Sequence, residues 1–299
     1  MIVRPNPDAL GAHGALGDRV RAACVVLPTF NEAENVSVVL PQIFSQSAAI
    51  AHELHVIVVD DRSPDGTADR VRQAQRQFPN LHLISGTKRG LGDAYIRGIT
   101  HALRNFQPEI VIQMDADLQH DAAHLPEMIQ LISEGYDVVI GSRFAPGGSI
   151  PGFPAWRKLI SIAGGHLVRG FARIPHVHDC TSGYRAIRAE LLPRCDLNRL
   201  STRGYSFQSS LLCELLWNGS RVKEIPITFA DRLHGESKLK FRDQWEFLVN
   251  LLRLRSRRAA RKRKRLDSLA SRAVRSPGSF PEEDFAETRA TGAFWHKEP

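Results

Sequence analysis

Asp115, Asp117 and Gln119 stand two apart in QMDADLQH, at the end of an apolar run. In an extended segment residues i and i+2 point to the same side, so this spacing brings three oxygen donors toward one point if the strand conformation persists. Such a set suits a hard divalent cation, Mg2+ or Mn2+, particularly one shared with phosphate oxygens. A lone DxD more often only solvates a strand end, so the pattern needs company. It has some in VVDDRSPDGTAD, where Asp60 and Asp61 close a second apolar run and Asp61 could accept hydrogen bonds from a base or ribose. The Ser63 to Gly66 part of that stretch reads well as a solvated turn. In GTKRGLGDAY, glycines mark a loop-to-helix junction where backbone can approach a ligand closely, without the GxxxxGK[ST] pattern of a phosphate loop.

The elements that must position these clusters follow from periodicity. AACVVLP (22–28), ELHVIVVD (53–60), LHLIS (81–85) and EIVIQMD (109–115) are short apolar runs that predict buried strands. Between them NEAENVSVVLPQIF, with Asn31 as its cap, residues 67–78 and GLGDAYIRGITHALRNF predict helices. A strand at DVVIGSRF (137–144), helices over 156–171 and 205–217, and a strand in RVKEIPITF leading into a polar loop complete the pattern. Strands alternating with helices in this way predict an α/β fold with a doubly wound, mostly parallel sheet. In such sheets ligands bind outside the carboxyl ends of the strands, where PTFNE, DDRSPDG and DADLQH all fall.

With 299 residues, 42% of them apolar, the chain can bury a substantial core, and disorder throughout is excluded. Cys24, Cys180, Cys195 and Cys213 lie far apart, without the spacing of a zinc site or a disulfide framework, and are expected to be reduced and buried. No run reaches the roughly 18 apolar residues of a membrane span, and MIVRPNPDALGAHGALGDRVR lacks a signal-peptide core. The expectation is a cytoplasmic protein without transmembrane helices. The formal charge is +8, but nine Lys or Arg and no acid lie between Arg253 and Arg265, which leaves the body near neutral. That run has no aromatic residue for base stacking, so a nucleic-acid partner is not expected. Just before it, FRDQWEFLVNLLRLR carries apolar residues at 241, 245, 248 and 252, the stripe of an amphipathic helix. The expected organisation is a flexible leader over 1–21, a globular domain over 22–240, an amphipathic helix with its polybasic segment over 241–265, and a disordered Ser/Pro/Glu-rich tail over 266–299.

PTFNEAENV, VVDDRSPDGT, RGLGDAY, MDADLQH, IGSRF, DCTSGYRAI, GYSFQ and ITFADRLHGESKL follow one another in that order across residues 22–241. This ordered set closely resembles the polyprenol-phosphate (dolichol-phosphate) mannosyltransferases, family 2 glycosyltransferases with a GT-A fold. The resemblance implies that Pro28, Phe30, Glu32, Val59 and Asp61 hold the guanosine part of GDP-mannose. It implies that Asp115, Ala116, Asp117 and Gln119 meet the diphosphate, with Asp117 and Gln119 as ligands of Mg2+ or Mn2+, and that Arg232 and Lys238 close over the nucleotide phosphates. Arg143, Arg157 and Ser161 match the positions that receive the lipid phosphate, which makes Asp115, Asp117 and Arg143 the candidate catalytic residues. The chain departs from the pattern on the donor side, with Phe30 where tyrosine is common and Arg62 where a small or neutral residue is usual.

The chemistry of these residue types agrees with that implication. A divalent cation and nearby cationic side chains can stabilise the charge that develops on a diphosphate leaving group. The acceptor, a phosphate monoester with a second pKa of about 6, is largely ionised near neutral pH and needs no dedicated base. Arginine forks at 143 and 157 suit its oxygens, and Ser161 lies four residues after Arg157, on the same face of a helix. The expected reaction is direct in-line displacement at the anomeric carbon, with inversion to a β-linked polyprenyl-phosphate mannose. A sibling enzyme using UDP-glucose or another acceptor is the nearest rival, and a non-catalytic nucleotide-sugar-binding module a more distant one. The acceptor is a membrane lipid, so 241–265 is expected to bind an anionic leaflet from the cytoplasmic side, each Lys or Arg contributing about 1 kcal/mol. The alternatives are an apolar stripe packed on the catalytic domain, or a platform supplied by a separate membrane-anchoring protein.

Overall fold

The computed structural model describes residues 21–152, 154–197, 200, 204–229, 249–261 and 263, and at 155–157, 204 and 205 the backbone alone. The leader up to residue 20, the stripe positions 241, 245 and 248, and the tail 266–299 lie outside the described residues. Contacts divide the chain into a unit Met1–Arg258, which holds all the elements below, and a unit Ala259–Pro299, in which residues 259–261 and 263 are helical.

Among the described residues seven strands, β1 (Ala22–Thr29), β2 (Glu53–Asp60), β3 (Leu81–Ser85), β4 (Ile110–Gln113), β5 (Val138–Ser142), β6 (Arg185–Arg188) and β7 (Val222–Pro226), form one sheet in the order β3-β2-β1-β4-β6-β5-β7. β6 runs antiparallel to both β4 and β5, and the remaining pairs are parallel. The predicted mostly parallel sheet is therefore present, with one reversed strand that the sequence reading did not place. Helices α1 (Ala33–Ser45), α2 (Thr67–Ala74), α3 (Leu91–Asn105), α4 (Leu125–Ser133), α5 (Ala155–Ala172) and α6 (Gly204–Trp217) accompany it.

Both faces are buried at β1, β2, β4 and β5, which is why these strands read as largely continuous apolar runs rather than alternating ones. Cys24, Val26, Ile57 and Val59 pack with Tyr95 and Ile99 of α3 and Phe207 and Leu211 of α6. Their neighbours Val25, Leu27, Val56 and Val58 pack on the other side with Val36 and Leu40 of α1 and Val71 of α2. A Cβ at Gly98 would collide with Val26 and lie 2.9 Å from Val59 Cγ2, so α3 rests directly on β1 and β2. All four cysteines are buried and free. Burial pushes the Cys24 and Cys180 thiols up to about 12, which makes them inert.

β1 has β2 on one side and β4 on the other, so the loops leaving these three parallel strands lie side by side at their carboxyl ends, where open α/β sheets form a ligand crevice. Two local expectations fail here. Asn31 takes φ +57° and does not cap α1, whose first residue follows Glu32. The strand predicted over 109–115 ends at Gln113, and Leu118 at φ +63° turns the chain, so strand alternation does not carry through to Gln119.

Residues 249–258 are helical, with Leu251 and Leu254 in the core beside α6. Asn250 accepts from the Ser210 hydroxyl at 3.1 Å and donates to the Ser206 carbonyl at 3.3 Å. Leu252, the one described member of the predicted stripe, is 63% exposed and faces away from that packing.

Far from the crevice, His55, His82 and His101 surround the ring of Phe106, with His55 Nδ1 3.2 Å from His82 Nε2. Burial lowers the pKa of His82 and His101, and for His82 the neighbouring His55 and His101 lower it further. A histidine whose folded pKa lies below its unfolded value of about 6.5 contributes stability that is full above that pH and is lost as pH falls through the folded value. The urea midpoint is therefore expected to fall between pH 7.5 and 5, and more shallowly in His82→Gln; identical pH dependence in the two proteins would remove the cluster from the account.

Candidate active site

The site is built first at the ends of β1 and β2. Pro28 pairs in register with Val59, Thr29 with Asp60, and the Asp61 amide donates to the Thr29 carbonyl at 3.2 Å. This gathers Pro28, Phe30, Glu32, Val59 and Asp61 on one rim. Val59 is fully buried against α3, so it can offer a ligand only its backbone. The Lys88 ammonium lies 3.1 Å from the centre of the Phe30 ring.

The loop after β2 does more than solvate a turn. Ser63 Oγ accepts from the Asn31 amide at 2.9 Å, Thr67 Oγ1 from Glu32 at 3.0 Å, and Asp65 Oδ2 from Ala33 at 3.0 Å. Three N–H groups leading into and opening α1 are thus satisfied from another loop, which replaces the local cap predicted at Asn31. Asp60 is a structural member of this arrangement, accepting from Thr29 Oγ1 at 3.2 Å and from Ser63 Oγ at 2.6 Å. Asp61 instead pairs with Arg97 of α3.

DADLQH lies beyond β4. The Tyr95 hydroxyl donates to Asp115 Oδ1 at 2.7 Å, and burial together with Asp115 holds that phenol well above its ordinary pKa, so it remains a donor. The Asp115 amide donates to His120 Nδ1 at 3.0 Å, and His120 stacks on Tyr184 with ring centres 4.9 Å apart. Burial lowers the His120 pKa to about 4, so at neutral pH the ring is uncharged and Nδ1 accepts. Asp117 Oδ1 accepts from the Gln119 amide at 3.3 Å, and Asp117 and Gln119 are 8% and 6% exposed. Ala116 turns its methyl into the core below α1 and can present only backbone.

Among the described residues no three His, Cys, Asp or Glu side chains group as a self-contained metal cage. Asp117 with the Gln119 carbonyl oxygen fits a different kind of site, in which one or two protein oxygens share Mg2+ or Mn2+ with phosphate oxygens and water. Folding of the loop, rather than strand alternation, sets where these side chains lie.

Arg143, directly after β5, is held by Asp179 through Nε–Oδ2 at 2.7 Å and Nη2–Oδ1 at 2.8 Å, while Nη2 also donates to Thr181 Oγ1 at 2.7 Å. Asp179 is wholly buried; burial alone would raise its pKa, but Arg143 and the backbone donors of Arg143 and Thr181 outweigh this and lower it. The Arg143 guanidinium lies 5.2 Å from the Phe229 ring centre and 5.3 Å from that of Phe144. Ser161 is part-exposed on α5, one turn beyond Arg157, whose side chain lies outside the described residues, as do Arg232 and Lys238. On the same helix Leu159 is 68% and Ile160 52% exposed. His120, Tyr95 and Asp179 were not singled out from sequence; Asp179 and His120 stood inside DCTSGYRAI and MDADLQH, but their partners are tertiary.

A doubly wound sheet with one reversed strand, whose acidic loops gather at the carboxyl ends of its parallel strands, defines a GT-A type glycosyltransferase. The chain belongs to glycosyltransferase family 2, whose model, described as glycosyl transferase family 2, matches residues 24–195. It is a hexosyltransferase. The chain is 37% identical over 217 residues to a polyprenol monophosphomannose synthase of Mycolicibacterium smegmatis, covering 72% of this chain and 80% of that protein. It is 38% identical over 229 residues to an undecaprenyl-phosphate mannosyltransferase of Micrococcus luteus, covering 76% and 91%. To a dolichol-phosphate mannosyltransferase of Pyrococcus furiosus it is 36% identical over 236 residues, covering 77% of this chain but 62% of that longer protein. Among solved structures, glucosyl-3-phosphoglycerate synthase from Mycobacterium tuberculosis, in complex with Mn2+, uridine diphosphate and glucosyl-3-phosphoglycerate, gives a TM-score of 0.59 at 20% identity, covering 79% and 80%; this likeness is one of fold.

Proposed function

We propose that this chain transfers mannose from GDP-mannose to a polyprenyl phosphate, with inversion, giving a β-linked polyprenyl-phosphate mannose. The observation that carries the reading is the agreement of three relatives at 36–38% identity, each named for mannosyl transfer or for a phosphomannose product on a prenyl carrier. The geometry supports it. The rim of Pro28, Phe30, Glu32, Val59 and Asp61 takes the guanosine, and the loop Asp115–Ala116–Asp117 faces the diphosphate. Asp117 and Gln119 would hold Mg2+ or Mn2+, which offsets charge on the departing diphosphate. Arg232 and Lys238 add cationic charge from the sequence that follows β7. Arg143, fixed by Asp179, and Arg157 with Ser161 orient the acceptor phosphate, one of whose oxygens attacks the anomeric carbon as the bond to GDP breaks.

Among the described residues no helix is long and apolar enough to cross a membrane. The exposed Leu159, Ile160 and Ile162 of α5, on the helix that carries Ser161, offer the prenyl chain an apolar approach. The basic run from Arg253 to Arg265, which follows the exposed Leu252 in sequence, adds attraction to an anionic leaflet at the cytoplasmic face. Sedimentation with anionic vesicles is expected to exceed that with neutral ones and to weaken with salt; equal retention removes the electrostatic part of this account.

The test of the reaction is a donor panel. GDP-mannose, GDP-glucose and UDP-glucose are each offered with one polyprenyl phosphate, and GDP-mannose is expected to give the highest kcat/KM. Preference for UDP-glucose would overturn the donor assignment.

A further inference from the structure

Asp93 and Arg97 lie one turn apart on α3, and Arg97 Nε donates to Asp93 Oδ2 at 2.9 Å while Nη2 donates to Asp61 Oδ1. The guanidinium is thus suspended between a carboxylate of its own helix and one on the nucleotide rim. α3 is seated firmly on the sheet through Gly98, so the suspension point is rigid. The loop after β3 is cut away to admit it: a Cβ at Gly86 would strike Arg97 Nη1, and the Gly86 amide is itself tied to the Asp60 carbonyl at 2.9 Å. Nη1 is buried and has no acceptor among the described residues, a penalty that a merely structural ion pair on a surface helix would not need to carry. Asp61 is itself nearly buried, at 7% exposed.

We propose that Arg97, braced by Asp93, is a positioning residue that sets the base preference of the donor site by fixing the charge and orientation of the Asp61 carboxylate. This rests on the reading above that Asp61 meets the base. An ionised carboxylate held in one plane can receive the two parallel donors of guanine, N1–H and the 2-amino group. Uracil presents one N–H flanked by two carbonyl oxygens, which a fixed carboxylate repels, and hypoxanthine keeps N1–H but lacks the amino group. Arg97 touches no substrate atom in this scheme and acts through Asp61.

The charge part follows from the groups around Asp61. Burial raises its pKa, Arg97 opposes that, and Asp93 on α3 and Asp60 on β2 add to the rise. Without the guanidinium the carboxyl is left among two other acids and protonates at higher pH, losing its acceptor character.

The experiment titrates GDP, IDP and UDP, each with Mn2+, into the full chain and into Arg97→Gln, Arg97→Lys and Gly86→Ala. The wild type is expected to bind GDP more than about tenfold tighter than IDP, as one hydrogen bond to a charged group provides. The GDP to IDP ratio is expected to collapse toward unity in Arg97→Gln, to be partly restored by lysine, and to shrink in Gly86→Ala, which keeps every charge and only displaces the guanidinium. GDP binding by Arg97→Gln is expected to weaken as pH falls from 7 to 5 sooner than that of the wild type. If Arg97→Gln does not fold, Gly86→Ala and Arg97→Lys carry the comparison. A purely structural pair predicts equal proportional losses for GDP and IDP, so an unchanged ratio in these variants overturns the inference. Equal affinity of the wild type for GDP and UDP overturns the guanosine reading itself, and this inference with it.

Discussion

Asp117→Ala is expected to lower transfer from GDP-mannose by about a thousandfold, the scale of losing one preorganised charge-stabilising group at a reacting centre, or roughly 4 kcal/mol. Asp117 is nearly buried in the loop beyond β4 and is the one carboxylate there that accepts from the Gln119 amide. Removing it takes away the anionic ligand of the proposed cation site and leaves Gln119, a neutral and weaker donor. Asp115 differs, because its Oδ1 already receives the Tyr95 hydroxyl and its backbone is tied to His120. Initial rates over a range of Mn2+ concentrations, with GDP binding followed separately, distinguish the two residues. Full activity in Asp117→Ala would sink the assignment, and a loss rescued by high Mn2+ would support it.

Asp179→Ala is expected to destabilise the protein by about 3–5 kcal/mol, since it removes the buried carboxylate that pairs with the nearly buried Arg143. It removes the acceptor of three Arg143 donors and of the Thr181 and Ser182 amides at 3.2 and 2.9 Å. Arg143→Lys keeps a charge but not the fork, so it is expected to raise the KM for polyprenyl phosphate more than it lowers stability. Urea unfolding and acceptor kinetics measure the two effects. The sign of the pH dependence is fixed by the lowered Asp179 pKa: its contribution is full above the ordinary carboxylate pKa of about 3.9 and is lost as pH falls through the folded value. The acid limb of stability should therefore be flatter in Asp179→Asn. An unfolding midpoint unchanged in Asp179→Ala would show that the pair contributes nothing net.

β1 and β2 were legible because buried parallel strands leave a nearly uninterrupted apolar signature, and the meeting of PTFNE, DDRSPDG and DADLQH at strand ends followed from their order. β6 was not, because RAIR shows arginines at both ends of a four-residue strand. Arg185 is nonetheless wholly buried, its guanidinium donating to the Gln208 and Cys180 carbonyls at 2.6 and 3.0 Å, acceptors that only the folded chain brings near. α4 was missed although Leu125, Met128, Ile129 and Ile132 carry helical spacing, the run being short and opened by the turn of DADLQH. Asn31 was a sound cap by type, but Ser63, Thr67 and Asp65 instead accept from the amides of Asn31, Glu32 and Ala33, from more than thirty residues away. Residue types thus located the chemistry, while the partners that aim it, Tyr95, His120, Asp179 and Arg97, belong to tertiary structure.

The bonding of the β1–α1 turn to the loop after β2 has a practical consequence for redesign. Ser63, Asp65 and Thr67 cannot be exchanged without uncapping α1, and any replacement for 29–33 must keep the backbone path that brings the amides of 31, 32 and 33 to their oxygens. Anyone grafting a different nucleotide preference onto this scaffold must transplant 29–33 and 60–67 as a single cassette, because a chimera that takes one half inherits a mismatched joint.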